Sequence, residues 1–77
     1  MSRETYKHYV IEANPHQLAD DNRWTVNVNI ERHEADRVEE RPYSASNTFE
    51  TKEEAVQYSI DFGRQIIDGK VAGCLAP

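Results

Sequence analysis

Residues 23 to 33, RWTVNVNIERH, alternate without interruption. Trp24, Val26, Val28 and Ile30 fall on one side of an extended chain, and Thr25, Asn27, Asn29 and Glu31 on the other. A period of two is that of a half-buried strand, so this stretch predicts a β-strand with its apolar side against a core. Residues 6 to 13, YKHYVIEA, predict an earlier strand, with Tyr9, Ile11 and Ala13 turned inward and Tyr6, His8, Val10 and Glu12 outward. Asn14-Pro15 ends it, because proline cannot donate to a ladder and restricts the residue before it. The loop NPHQLADDN follows, closed by the turn-favouring Asp20, Asp21 and Asn22. Leu18, its one large apolar residue, is expected to pin the loop to the domain. The almost wholly charged HEADRVEER reads as a long, solvated hairpin connection with frayed strand ends. Pro42 then opens a third strand, YSASNTF, with Tyr43, Ala45 and Phe49 inward and Ser44, Ser46 and Thr48 outward. Asn47 interrupts the inward series, which marks either a buried hydrogen bond or a bulge.

The period then changes. TKEE places Thr51 at a helix N-cap and Glu54 three residues on, the pattern of a capping box. Acidic Glu53 and Glu54 also suit the positive end of the helix dipole. Glu53, Gln57, Asp61, Arg64 and Asp68 form a polar stripe, opposite Ala55, Val56, Ser59, Ile60, Phe62, Gly63, Ile66 and Ile67. Asp61, Arg64 and Asp68 are spaced for helical ion pairs. Gly63, on the apolar stripe, allows a close approach to the sheet, and Gly69 is placed to terminate the helix. KVAGCLAP has neither caps nor periodicity, so residues 70 to 77 read as a flexible tail beyond an ordered core of about 6 to 69 in a single domain, 1 to 77. One amphipathic helix and three half-apolar strands predict an α+β fold: a three-stranded antiparallel meander with one C-terminal helix packed on one face.

The aromatic-rich first strand, WTVNVNI as the second, and TFETKEEA running into a helix that closes on RQIIDG resemble a family of short, uncharacterised bacterial proteins. The resemblance spans residues 6 to 69. It implies a strand–strand–strand–helix domain and, since that family carries no assigned activity or catalytic residues, no function.

Composition narrows the classes. At 77 residues the domain sits near the small end of chains that fold alone, where marginal stability or help from a partner chain is expected. A net charge of −5 and a pI near 5.0 work against phosphate binding, so nucleic acid is an unfavoured partner. Three strands followed by a helix are similar to the later part of a double-stranded-RNA-binding domain, which sets a lysine-rich helix N-terminus against phosphates. Here TKEEA offers two glutamates at that position, and no helix precedes the strands. That module stays as the alternative to a protein-binding role. Cys74 is the only cysteine, which excludes a disulfide framework and a thiolate zinc site. MSRETYKHYV has no apolar core of signal-peptide length and no segment approaches a membrane span, so a cytoplasmic protein without membrane contact is expected.

Candidate chemistry is thin. His8, His16 and His33 have no spacing that brings two of them to one metal. His33, Glu34 and Asp36 supply ligand types in a segment that reads as mobile, and a metal site needs a rigid shell. Asp20 and Asp21 are explained by the turn, lacking the alternating ligands of a calcium loop. Ser44, Ser46 and Ser59 have no base at a telling distance and no glycine elbow. Gly63, Gly69 and Gly73 form no phosphate loop. No catalytic residue, cofactor or metal is expected, and the chain does not read as an enzyme.

What remains is the outward side of the strands. His8, Val10, Thr25, Asn27, Asn29, Ser44 and Ser46 make a small, uncharged polar face on a chain that is 30% charged. Such a face is cheap to desolvate compared with lysines and carboxylates. An antiparallel sheet often keeps one wet face, which is the plain reading. Asparagine, depleted in strands, stands twice at the centre, and this favours a contact surface, for protein or for a second copy.

Overall fold

The computed structural model describes residues 2–77. Four strands, β1 (Ser2–Tyr6), β2 (Tyr9–Ala13), β3 (Trp24–Glu34) and β4 (Arg37–Phe49), precede one helix, α1 (Lys52–Ile67). The strands pair antiparallel in the order β1-β2-β3-β4, and α1 covers one face. The α+β class and the C-terminal helix are as expected. The sheet has four strands where three were expected.

The extra strand comes from a turn hidden inside the first expected one. The chain reverses at Lys7 and His8, with Lys7 at φ 55°, so Tyr6 pairs with Tyr9 instead of continuing in line with it. Left-handed backbone at a lysine is uncommon, and nothing in the local sequence announces it. Tyr6 therefore faces the helix, where its hydroxyl donates to Asp68 at 2.8 Å. His8 lies in the turn and not on the outer sheet face. A second correction concerns HEADRVEER. Only Ala35 and Asp36 form a turn; the remainder belongs to the β3–β4 ladder, down to Glu34 opposite Arg37. The register sets the charges that suggested a loop against opposite ones, Arg32 facing Glu39 and Glu34 facing Arg37. Arg37 reaches Glu34 across the turn at 3.7 Å, and along each strand Arg32 meets Glu34 at 3.2 Å and Arg37 meets Glu39 at 3.1 Å. Opposed charges on neighbouring strands favour the ladder.

Between Thr25 and Val26 the register shifts, leaving Ser46 and Asn47 as extra residues on β4. Of the two readings of Asn47, a buried hydrogen bond or a bulge, the ladder has the bulge. Pro42 sits on this edge strand, where its missing N–H is tolerated. Leu18 does not pin its loop: it is exposed, and backbone bonds hold the segment, Leu18 N–H to the Arg23 carbonyl at 2.7 Å and Thr25 N–H to that of His16 at 2.8 Å.

The core lies between the sheet and α1. Ile11, Ala13, Val26, Val28 and Ile30 from the sheet and Ala55, Ile60 and Ile66 from the helix are buried. Ile11 stands opposite Ile30 and Ala13 opposite Val28, so the two inner strands supply one continuous apolar patch. At the helix start, Thr51 Oγ1 accepts the Glu54 N–H at 3.2 Å. The Glu54 carboxylate meets the Thr51 hydroxyl at 3.0 Å, where a complete capping box would direct it to the backbone. At the helix end Gly69, at φ 74°, donates to Ile66, and Lys70 donates to Gln65, the paired bonds of a Schellman motif. Residues 70–77 lie back over the sheet: Val71, Cys74 and Ala76 pack against the core, and the Tyr9 hydroxyl donates to the Pro77 carbonyl at 3.1 Å.

Candidate functional site

The register defines the outer face row by row. Thr5, Val10, Glu31 and Glu40 stand abreast, one from each strand; the next row holds Arg3, Glu12, Asn29 and Pro42. Above these Asn27 stands opposite Ser44, and Thr25 opposite Thr48. Five of the seven residues expected on the contact face, Val10, Thr25, Asn27, Asn29 and Ser44, are thus brought together. Ser46 falls in the bulge and His8 in the first turn, so neither belongs to the regular rows.

Among the described residues no other helix or strand covers this face: α1 lies on the opposite side, against the sheet residues of the core. An open depression of about 430 Å³ is lined by Glu12, Asn14, His16, Asn27, Asn29, Glu40 and Pro42, with Val28 and Tyr43 contributing. The polar side chains are organised. Thr25 Oγ1 donates to Asn27 Oδ1, which leaves the Asn27 amide free to donate outward. Asn29 Nδ2 donates to Glu40 at 3.3 Å, which leaves its carbonyl oxygen as an acceptor. The face is less neutral than the sequence suggested. Arg3 bridges Glu12 at 2.9 Å and Glu31 at 3.4 Å, and His33 Nε2 lies 3.2 Å from Glu31. Arg3 and Glu40 escaped sequence reasoning because the first belongs to the unrecognised strand and the second to the supposed loop.

The remaining candidates have structural occupations. Glu34 of the HEAD segment is engaged by Arg32 and Arg37. Asp21 Oδ1 accepts the Arg23 N–H at 3.1 Å, the local turn bond expected of it. Ser59 is buried and donates to the Ala55 carbonyl at 2.7 Å. Among the described residues no group of three His, Cys, Asp or Glu side chains is placed to hold a metal ion. No helix among them is long and apolar enough to cross a membrane. The first turn of α1 carries Glu53 and Glu54, a charge unsuited to phosphate.

One polar constellation lies on the helix side. Asp68 receives the Lys7 ammonium and the Tyr6 hydroxyl, tying the end of α1 to the first turn. The hydrogen bond from Lys7, then that from Tyr6, holds the Asp68 carboxyl below its ordinary range. The same bonds push Lys7 and Tyr6 upward. A carboxyl depressed in the folded state contributes stability above its unfolded pKa of about 3.9 and loses it as pH falls through the folded value. Lys7 and Tyr6, being raised, contribute below their ordinary values and lose that contribution as pH climbs past the raised ones. Asp68→Asn is therefore expected to flatten both the acid and the alkaline limbs of a plot of urea midpoint against pH. Limbs that keep the parent slopes would show the constellation to be energetically idle.

The comparisons with known proteins return a family and nothing further. The family model described as "Domain of unknown function (DUF6566)" matches residues 1–74. No curated protein and no solved structure matches the chain.

Proposed function

We propose, for a chain that belongs to the family of unknown function DUF6566, the role of a non-enzymatic interaction module whose uncovered sheet face makes contact with protein. The observation that carries this reading is the pairing of a bare sheet face with amides at its centre. Asn27 and Asn29 occupy strand positions for which asparagine is poorly suited, and each keeps an outward-facing hydrogen-bonding group after its internal bond is made. The uncharged centre of the face is desolvated at lower cost than ammonium groups and carboxylates, and patches depleted in charge form the centres of protein interfaces.

The double substitution Asn27→Lys, Asn29→Lys tests it. Both side chains point away from the core, so stability is expected to change by no more than about 0.5 kcal/mol per site. Contact is nevertheless expected to be lost, because the ammonium at 27 would have to be desolvated without a partner and the one at 29 would occupy Glu40 and crowd the patch with a long side chain. Sedimentation over a range of concentrations reads self-association, and capture from the native cell extract with mass spectrometry reads a heterologous partner. A variant that matches the parent in both would leave the asparagines as a wet sheet face only.

A further inference from the structure

The outer face carries an unbalanced charge at the one place where the sheet itself would avoid it. Glu31 on β3 and Glu40 on β4 are directly opposite each other. Directly opposed side chains have Cβ atoms about 4.5–5.5 Å apart, and like charges in that position oppose strand pairing. Glu12 is a third carboxylate on the same face, one row away. Against the three, the acidic rows present one guanidinium, that of Arg3 on the far edge strand, which is shared by Glu12 and Glu31; the other on this face, Arg23, is held at the opposite end by Thr48. Glu40 accepts the neutral Asn29 amide and, among the described residues, forms no ion pair.

Arg3 also shows how the surface holds a guanidinium. Its planar fork reaches across β2 to β3, one nitrogen on each of two carboxylates. On the β4 side one carboxylate and one amide, Glu40 and Asn29, are paired with each other and with no guanidinium. Glu40 stands at the rim of the depression, Asn29 offers its carbonyl oxygen, and the Pro42 ring gives an apolar surface for a side-chain stem.

We propose that this face docks an arginine-bearing segment of a partner protein, with the guanidinium seated in the depression on Glu40 and Asn29. The proposal rests on the sheet face being a contact surface and adds the charge of what it contacts. A second copy of the chain is a poor occupant, because apposing two such faces doubles the uncompensated carboxylates. A free amine is poor as well, since the open depression surrounds little of a small ligand. A segment laid across the strands meets Asn27 and Ser44 in addition to the acidic end.

The test is a titration of isotope-labelled protein, followed by amide shifts at low salt, with a blocked peptide alternating arginine and glycine and with its glutamate counterpart. The arginine peptide is expected to shift Asn27, Asn29, Glu31 and Glu40, and the glutamate peptide to shift none of them. Glu40→Gln is expected to weaken the arginine peptide about fivefold or more, and the equal charge change Glu53→Gln on the helix to leave it unchanged. Because Glu40→Gln relieves the opposed pair, it is also expected to raise the urea midpoint, so lost binding is separable from lost folding. Shifts centred on Glu50, Glu53 and Glu54, or equal weakening by both substitutions, would reduce the binding to general attraction to an acidic protein and overturn the proposal. A partner lost by the asparagine variant but held in full by Glu40→Gln would leave the contact face standing and remove the arginine from it.

Discussion

Ile30→Ala is expected to destabilise the domain by about 2–5 kcal/mol, the range for removing a fully buried branched side chain from a core that cannot close the gap. Ile30 is 0% exposed and lies opposite Ile11, which is also 0% exposed, in the apolar cluster that includes Ile60 and Ile66 of the helix. The gap would open between two rigid layers, so relaxation is limited. A chain of 77 residues has stability on the order of 4–12 kcal/mol in total, and the loss is a large share of it. Urea unfolding followed by Trp24 fluorescence reads the change as a lowered midpoint at constant slope. Val38→Ala removes one aliphatic side chain from the outer face, where Val38 is 54% exposed, and is expected to change stability by less than about 0.5 kcal/mol. If Ile30→Ala left the midpoint where it was, the layer assignment of β3 would be inverted.

β3 was legible because its apolar positions alternate over a length that only a half-buried strand satisfies, and α1 because a cap, a stripe and a stop agree. β1 was not legible for the opposite reason. SRETY alternates in burial but not in hydropathy: Glu4 faces the helix and is satisfied there by Arg64, whose Nε lies 2.7 Å from it. A polar residue used on the buried side erases the signal that periodicity depends on. The turn after it contains no glycine, asparagine or proline, so it gave no second signal. The charged arm of β3 and β4 failed differently. Its ladder is held by backbone bonds and by charges matched across strands, and hydropathy sees neither. A mirror arrangement of Arg32, Glu34, Arg37 and Glu39 about Ala35 and Asp36 was present in the sequence and is the pattern that could have revealed the hairpin.

The same two omissions decided how much of the candidate site could be read. The asparagines and Thr25 were placed correctly, because they ride on the strand that was certain. The acidic end of the face was invisible because it is assembled from the hidden strand, which brings Arg3 beside Glu12, and from the supposed loop, which brings Glu40 beside Glu31. Neutrality at the centre was therefore legible, and the polarity across the face was not. That polarity, and not the neutral centre, is what the proposed arginine contact rests on.

Gly63→Val is expected to cost about 3 kcal/mol, although exchanging a helical glycine for another residue normally gains stability, by up to about 1 kcal/mol for alanine. The reversal follows from the position. A Cβ at residue 63 would lie 2.7 Å from Ile11 Cγ2 and 3.3 Å from both Cγ1 and Cδ1. Ile11 has nowhere to go: it is fully buried between Glu4 and Ile30 in the sheet, and its branched Cβ leaves it few rotamers. The helix would have to rise off the sheet, and Ile60 and Ile66 would rise with it. Gly69→Ala offers the contrast. Its site is open, with nothing within 4 Å of an added Cβ, and its cost comes only from the left-handed backbone at φ 74°. A double-mutant cycle separates the two causes. Ile11→Ala alone should cost about 2–5 kcal/mol, but in the Gly63→Val background it removes the clashing methyl as well as the packing. The two losses are therefore expected to sum to at least about 1 kcal/mol more than the double variant shows. Additive losses, agreeing within about 0.5 kcal/mol, would mean that the close approach of α1 to β2 at Gly63 does not set the spacing of the layers.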